Sequence, residues 1–194
     1  MIQIGRRQPL EYTEPKKRKR RPTPPLTESW LVSEAVRHLE RWPASEVRVR
    51  RLLWQRVRRA QSFHGGTKEE AAPLVEAVIA RLIANKILDD EGFAKLWVNH
   101  LRRRGTSARM IEKKLSEKGV ARSTIARAVA AYATDDGTDS ERASAEAYAR
   151  RRRLGPFRRP PDPDPARKRK DLAAMARAGF SYGIASDVLR GSSD

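Results

Sequence analysis

From Thr27 onward the apolar residues recur at helical spacing, and no stretch alternates as a strand would. In the segment KILDDEGFAKLWVNHLRRRGTSARMIEKKLSEKGV, residues 86–120, Phe93, Leu96, Trp97, His100 and Leu101 fall at i, i+3, i+4, i+7 and i+8, which predicts one apolar helix face. Ile111 and Leu115 pair in the following helix, and Ile125, Ala128, Val129 and Tyr132 repeat the spacing after that. Starts are marked by Thr27, Ser45, Asp90, Ser107, Ser123 and Ser181, whose side chains accept from an unpaired amide one turn later. Stops are marked by Pro43, Gly105, Gly119 and Gly179. Each stripe is narrow, so these helices bury their faces only against neighbours.

The helices also repeat. When Ser45, Ser107 and Ser181 are aligned, Leu39, Leu101 and Met175 stand six residues earlier, Arg41, Arg103 and Arg177 four earlier, and Leu53, Leu115 and Leu189 eight later. The serines are 62 and 74 residues apart, and GPFRRPPDPDP, too rich in proline to be helical, accounts for the longer gap. Modules that touch only their sequence neighbours make an elongated body. The expected organisation is all-α, a tandem array of three three-helix repeats at 27–88, 89–134 and 139–190. A proline-rich insertion at 155–165 interrupts the last repeat, and a basic, proline-rich arm at 1–26 is expected to be extended and disordered.

Composition narrows the function. There are 42 Lys and Arg against 24 Asp and Glu, a formal charge of +18, which favours an anionic partner such as nucleic acid. The chain has no cysteine, so disulfides and thiolate zinc sites are excluded, and His38, His64 and His100 lack ligand spacing. No metal or cofactor is expected. The most apolar stretch, LVEAVIARLIANKIL, is broken by Glu76, Arg81, Asn85 and Lys86 and cannot span a bilayer. No secretory pattern follows the basic start, and a soluble, cytoplasmic protein with no membrane partner is expected.

The acids Asp89, Asp90 and Glu91 have no second carboxylate cluster, histidine pair or nucleophile to work with, and they favour a helix start through its exposed amides. GGTK at 65–68 lacks the earlier glycine and preceding strand of a phosphate loop, and DPDP at 162–165 reads as a solvated linker. His100 reads as a core or boundary residue. The basic clusters recur once per module. The candidates for contact with an anionic partner are Arg48, Arg51 and Arg58, then Arg102, Arg103, Arg104, Lys113, Lys114 and Lys118, and finally Arg150, Arg151, Arg152 and Arg153. Phe93, Trp97, Leu101, Ile111 and Leu115 are the expected structural residues of the middle module. Phosphate neutralisation by such clusters is independent of sequence and weakens steeply with salt.

The run Ile87, Leu88, Asp89, Asp90, Phe93, Ala94 and Trp97, followed by Arg102 to Arg104, Gly105, Ser107, Ile111, Leu115, Lys118, Gly119 and Val120, resembles the central repeat of the RecX family. AGFSYGIASDVL at 178–189 is similar to the family's closing Gly-Phe-Ser helix, and Ala35, Leu39, Arg41, Ser45 and Leu53 match its first repeat. The resemblance covers about residues 30–190. It implies a curved array of three three-helix repeats that is not an enzyme, binds the RecA filament and modulates RecA, usually by inhibition. The basic arm, the SFHGGT loop at 62–67 and the insertion depart from the family pattern. A monomer bound to RecA and to single- and double-stranded DNA is the expectation. The alternative is a sequence-specific or nucleoid DNA-binding protein that uses the hairpin around Ser107 as a helix-turn-helix.

Overall fold

The computed structural model describes residues 23–135, 140–160 and 164–191. Most of the basic arm, residues 1–22, therefore lies outside the described residues. The described residues form nine α-helices and no strand. They are α1 (Glu28–Leu39), α2 (Glu46–His64), α3 (Lys68–Ala84), α4 (Asp90–Arg103), α5 (Ala108–Glu117), α6 (Arg122–Asp135), α7 (Ser140–Arg152), α8 (Pro165–Arg177) and α9 (Tyr182–Arg190).

Three separate cores divide them into consecutive triplets. Leu31, Leu53, Val57, Val75, Ile79 and Leu82 fill the space between α1, α2 and α3. In the middle triplet Phe93, Ala94, Val98, Leu101, Ile111, Leu115 and Ile125 are buried together. Ala145, Ala149, Leu154, Met175, Phe180 and Leu189 do the same for α7, α8 and α9. Contact between triplets is confined to sequence neighbours apart from minor touches, which gives the elongated tandem array.

Several sequence expectations are corrected. In α4 the buried face is Phe93, Ala94, Val98 and Leu101 with Trp97 half-buried, whereas Leu96 and His100 are exposed. The stripe is rotated because small Ala94 and β-branched Val98 let α6 approach closely, a role their size does not advertise in a sequence. Asp89, not Asp90, caps α4, and Ser123 lies inside the first turn of α6. Thr67 and Glu70 form a reciprocal capping box at α3, so GGTK is a helix entrance. Ser62, Phe63 and His64 belong to α2. Leu26 packs on the first core and the Thr23 carbonyl lies 2.6 Å from His64 Nε2, so residues 23–26 are part of the first module and not of a free arm. The insertion holds a 3-10 turn at Gly155–Phe157, and its last residue, Pro165, opens α8.

The serine alignment is also corrected. Ser45 and Ser107 precede the second helices α2 and α5, but Ser181 precedes the third helix α9, and the second helix of the last module is capped by Asp164. A serine opens the third helix α9 as serines open the second helices α2 and α5, so Ser181 matched out of register.

What Ser45 and Ser107 share is a joint. The Ser45 hydroxyl donates to the Lys118 carbonyl at the end of α5, and the Ser107 hydroxyl donates to the Ala178 carbonyl at the end of α8, at 2.7 Å. In each case the next backbone amide donates to a carboxylate at the start of the following module. Glu46 N reaches Asp90 Oδ1 at 2.8 Å, and Ala108 N reaches the two Glu141 oxygens at 3.2 and 3.1 Å. Both receiving helices end in a left-handed glycine, Gly119 at φ +84° and Gly179 at φ +90°. A Cβ on Gly119 would stand 2.7 Å from Val47 Cβ, and one on Gly179 2.5 Å from Ser107 Oγ, so the preceding module seats against bare backbone.

Candidate nucleic-acid interface

The joints set the second helices α2, α5 and α8 in equivalent places, and all three are basic. On α2, Arg48, Arg51 and Arg58 are exposed and have no carboxylate partner among the described residues. Arg51 and Arg58 share a cleft with Trp54, Gln55, Gln61 and Lys68, and the Lys68 ammonium lies 5.7 Å from the Trp54 ring. On α5, Lys114 is exposed with no carboxylate partner among the described residues, and Lys113 is 4.0 Å from Glu117, an exposed pair worth little. Arg109 and Lys113 border a cleft with Arg122 of α6. On α8, Lys168, Arg169 and Lys170 are exposed, a group that the RRRR run at 150–153 overshadows in the sequence.

The other candidates lie at the ends of first helices. Arg103 and Arg104 are exposed at the end of α4, where cations favour the negative end of the helix dipole. Arg150, Arg151, Arg152 and Arg153 hold the matching position on α7. Arg150 lies 5.1 Å from the Phe157 ring, and Arg151 and Arg152 lie 5.7 and 5.9 Å from Tyr148. Arg151 also donates to the Arg104 carbonyl. Lys118 is half-buried with its ammonium 4.0 Å from the Trp97 ring.

Arg102 is the clear correction. Its side chain is 3% exposed, is ion-paired to Glu141, reaches Ser144 Oγ at 3.5 Å and lies 5.8 Å from the Tyr132 ring. It ties the middle module to the last and has no charge to offer a partner. Burial was invisible in the run Arg102–Arg104 because the acid that makes it tolerable lies 39 residues onward.

Burial shifts two titratable groups near the first joint. His38 has its pKa lowered by burial and then by Arg48 and Arg56. Asp90 has its carboxyl raised, first by burial, with the hydrogen bond from Glu46 N opposing and the charges of Glu46 and Asp89 reinforcing the shift. Among the described residues no three His, Asp or Glu side chains gather as metal ligands, and no helix is long and apolar enough to cross a membrane.

A family model described as the second three-helix domain of RecX matches residues 89–129, which span α4, α5 and half of α6. The regulatory protein RecX of Myxococcus xanthus is 41% identical over 178 residues, covering 90% of this chain and 92% of that one. The chain belongs to the RecX family. The regulatory protein RecX of Agrobacterium fabrum is 32% identical over 161 residues, covering 83% and 82% of the two chains. A crystal structure of RecX from Lactobacillus salivarius shares the fold, with a TM-score of 0.63 at 19% identity over 84% of this chain and 94% of that one. Both joints of this RecX-family chain converge on the part that the family model covers: Asp90 and Lys118 receive the first module, and Ser107 and Arg102 reach for the last.

Proposed function

We propose that this chain is a non-enzymatic, cytoplasmic regulator of RecA that acts as a monomer, binds the RecA–DNA filament and lowers its recombinase and ATPase activity. The modules at 27–88, 89–134 and 139–190 act as successive units, each presenting its second helix to the filament. The observation that carries this reading is the recurrence of unpaired cations at equivalent places: Arg48, Arg51 and Arg58 on α2, Lys114 on α5, and Lys168, Arg169 and Lys170 on α8. A repeated positive surface matches a repeated polyanion, and phosphate neutralisation needs no base code. Single- and double-stranded DNA are therefore both partners, with Arg103, Arg104, Lys113, Lys118 and Arg150 to Arg153 extending the contact and Arg102 acting only through the joint. Membership of a family of regulatory proteins supports the same reading.

The test is the DNA-dependent ATPase of RecA from the same organism, with this protein added well below the RecA concentration. Loss of turnover is expected, along with partial recovery of turnover when Arg51, Arg58 and Lys114 are reversed to glutamate. Unchanged turnover at equimolar protein, together with a footprint on one particular duplex sequence, would favour the helix-turn-helix alternative.

A further inference from the structure

Alongside its cations, the first joint carries an apolar cleft. Trp42, Pro43, Leu96, Trp97 and His100 line it. Trp42 is 68% exposed and Leu96 56%, unusual for large apolar side chains on so polar a chain. Trp42 and Pro43 belong to the loop entering α2, and the other three residues to one face of α4. In the second joint exposed Arg104 stands where Trp42 does, and Gly105 stands where Pro43 does and lies directly on α7: a Cβ on Gly105 would stand 2.5 Å from the Tyr148 amide and 2.8 Å from the Ser144 carbonyl. At this place the second joint packs backbone on α7, and the first presents an indole and a pyrrolidine ring beside α4.

The cleft is fringed with positive charge. The Lys118 ammonium sits over Trp97, and Arg104 Nη1 is 3.5 Å from His100 Nε2. Trp97 and His100 meet edge to face with centroids 6.2 Å apart, which fixes both rings without covering Trp42. No carboxylate lines the cleft. An apolar protein segment would fit the lining but would leave these cations without purpose. A flat π-system that carries a phosphate satisfies the ring, the apolar walls and the charges together.

We propose that this cleft stacks an unpaired nucleobase of single-stranded DNA on Trp42, with Lys118 and Arg104 engaging the flanking phosphates. The proposal rests on the reading above that the chain engages DNA, and it adds a means of distinguishing strands. In a duplex each base is already stacked on its neighbours, so the indole gains nothing from it, whereas any base of a single strand has a π-face to offer. The cationic helices bind either form, and Trp42 favours the open one.

The experiment uses the full chain, a fluorescently labelled oligo-dT and a duplex of equal length, with fluorescence anisotropy at a single low salt concentration. Trp42→Ala is expected to weaken single-strand binding about tenfold, within the range for one base on one ring, and to leave duplex binding unchanged. Trp42→Phe retains most of the single-strand affinity, and quenching of intrinsic tryptophan emission by oligo-dT shrinks in Trp42→Ala. An equal loss on both DNA forms, or no loss on either, overturns the proposal. Retained DNA affinity with impaired action on the RecA ATPase also overturns it, in favour of a protein contact. If the wild type lowers RecA turnover but Trp42→Ala does not lose single-strand affinity selectively, the regulator reading stands without the stacking site. If Trp42→Ala loses single strands selectively while the wild type leaves RecA turnover untouched, the stacking site stands without the regulator reading.

Discussion

The two joints of this molecule have the same backbone plan and opposite electrostatics. In both, a serine hydroxyl reaches across to a helix-terminal carbonyl, an amide reaches across to a carboxylate, and a left-handed glycine clears the way. In the second joint Glu141 also faces a buried arginine, and Arg151 adds a bond to the Arg104 carbonyl. In the first joint Asp90 has no cation and is partly desolvated, which lifts its pKa. The shared part therefore specifies how modules dock, and the variable part sets how firmly. Arg102 is the firm element, at the cost of a buried Nε that lacks a hydrogen-bond partner.

The comparison is broken most severely at Arg102. Replacing it with Met leaves Glu141 without its counter-charge and empties the space against Tyr132. A loss of about 3 kcal/mol is expected in urea unfolding, with the last module melting before the first. Simultaneous loss of all three modules would mean that the joint does not separate their stabilities. Next come the glycines. Gly119→Ala and Gly179→Ala each force a side chain into left-handed backbone against a neighbour, costing about 1–3 kcal/mol. Hydrogen exchange should show the opening confined to the joint concerned, and protection that falls evenly across the chain would contradict it.

Asp90→Asn sharpens the contrast. The amide oxygen still accepts from Glu46 N, and the desolvated charge is gone, so stability should change by under about 1 kcal/mol. Glu141→Gln, the matched change, strips Arg102 of its partner and should cost clearly more. Equal effects would show that the ion pair adds nothing to the second joint.

The smallest effects are those of pH, and the two shifted groups act in opposite directions. The raised Asp90 carboxyl lets the folded chain hold a proton that the unfolded chain has released, so its contribution falls as pH rises through the window just above about 4. The lowered His38 makes the unfolded chain the stronger proton acceptor, so the first module loses stability as pH falls below about 6.5. Melting of Asp90→Asn and of His38→Gln across this range should remove one dependence each.

Much of the fold was legible in sequence because it depends on local spacing. The helical period, the glycine stops and the burial of Phe93, Leu101, Ile111 and Leu115 are all properties of one turn and its neighbours. The candidate site was legible only as charge. Nothing local separates Arg102 from Arg103, since burial of the one depends on Glu141 in another module. Ser45 was recognisable as a helix start, yet its hydroxyl bonds only across the joint to the Lys118 carbonyl, whereas Ser107 both donates across its joint and accepts from its own Met110 amide. Trp42 lies between two helices in sequence, and its importance emerges only once α4 is placed beneath it. Residues defined by contact between modules are the ones a linear pattern misses.

The donor in each joint is a hydroxyl, and this gives the array a chemical terminator. A serine can pass a proton on to the module that follows it. At the corresponding position of the last module stands Asp164, whose carboxylate accepts from its own Ala166 amide at 2.8 Å. An ionised acid has no proton to pass on and would repel the helix-terminal carbonyl of any fourth unit. Head-to-tail contacts of this kind can be extended by further units unless the rotation between them closes a ring. One carboxylate-for-hydroxyl exchange removes the donor on which the first two joints depend.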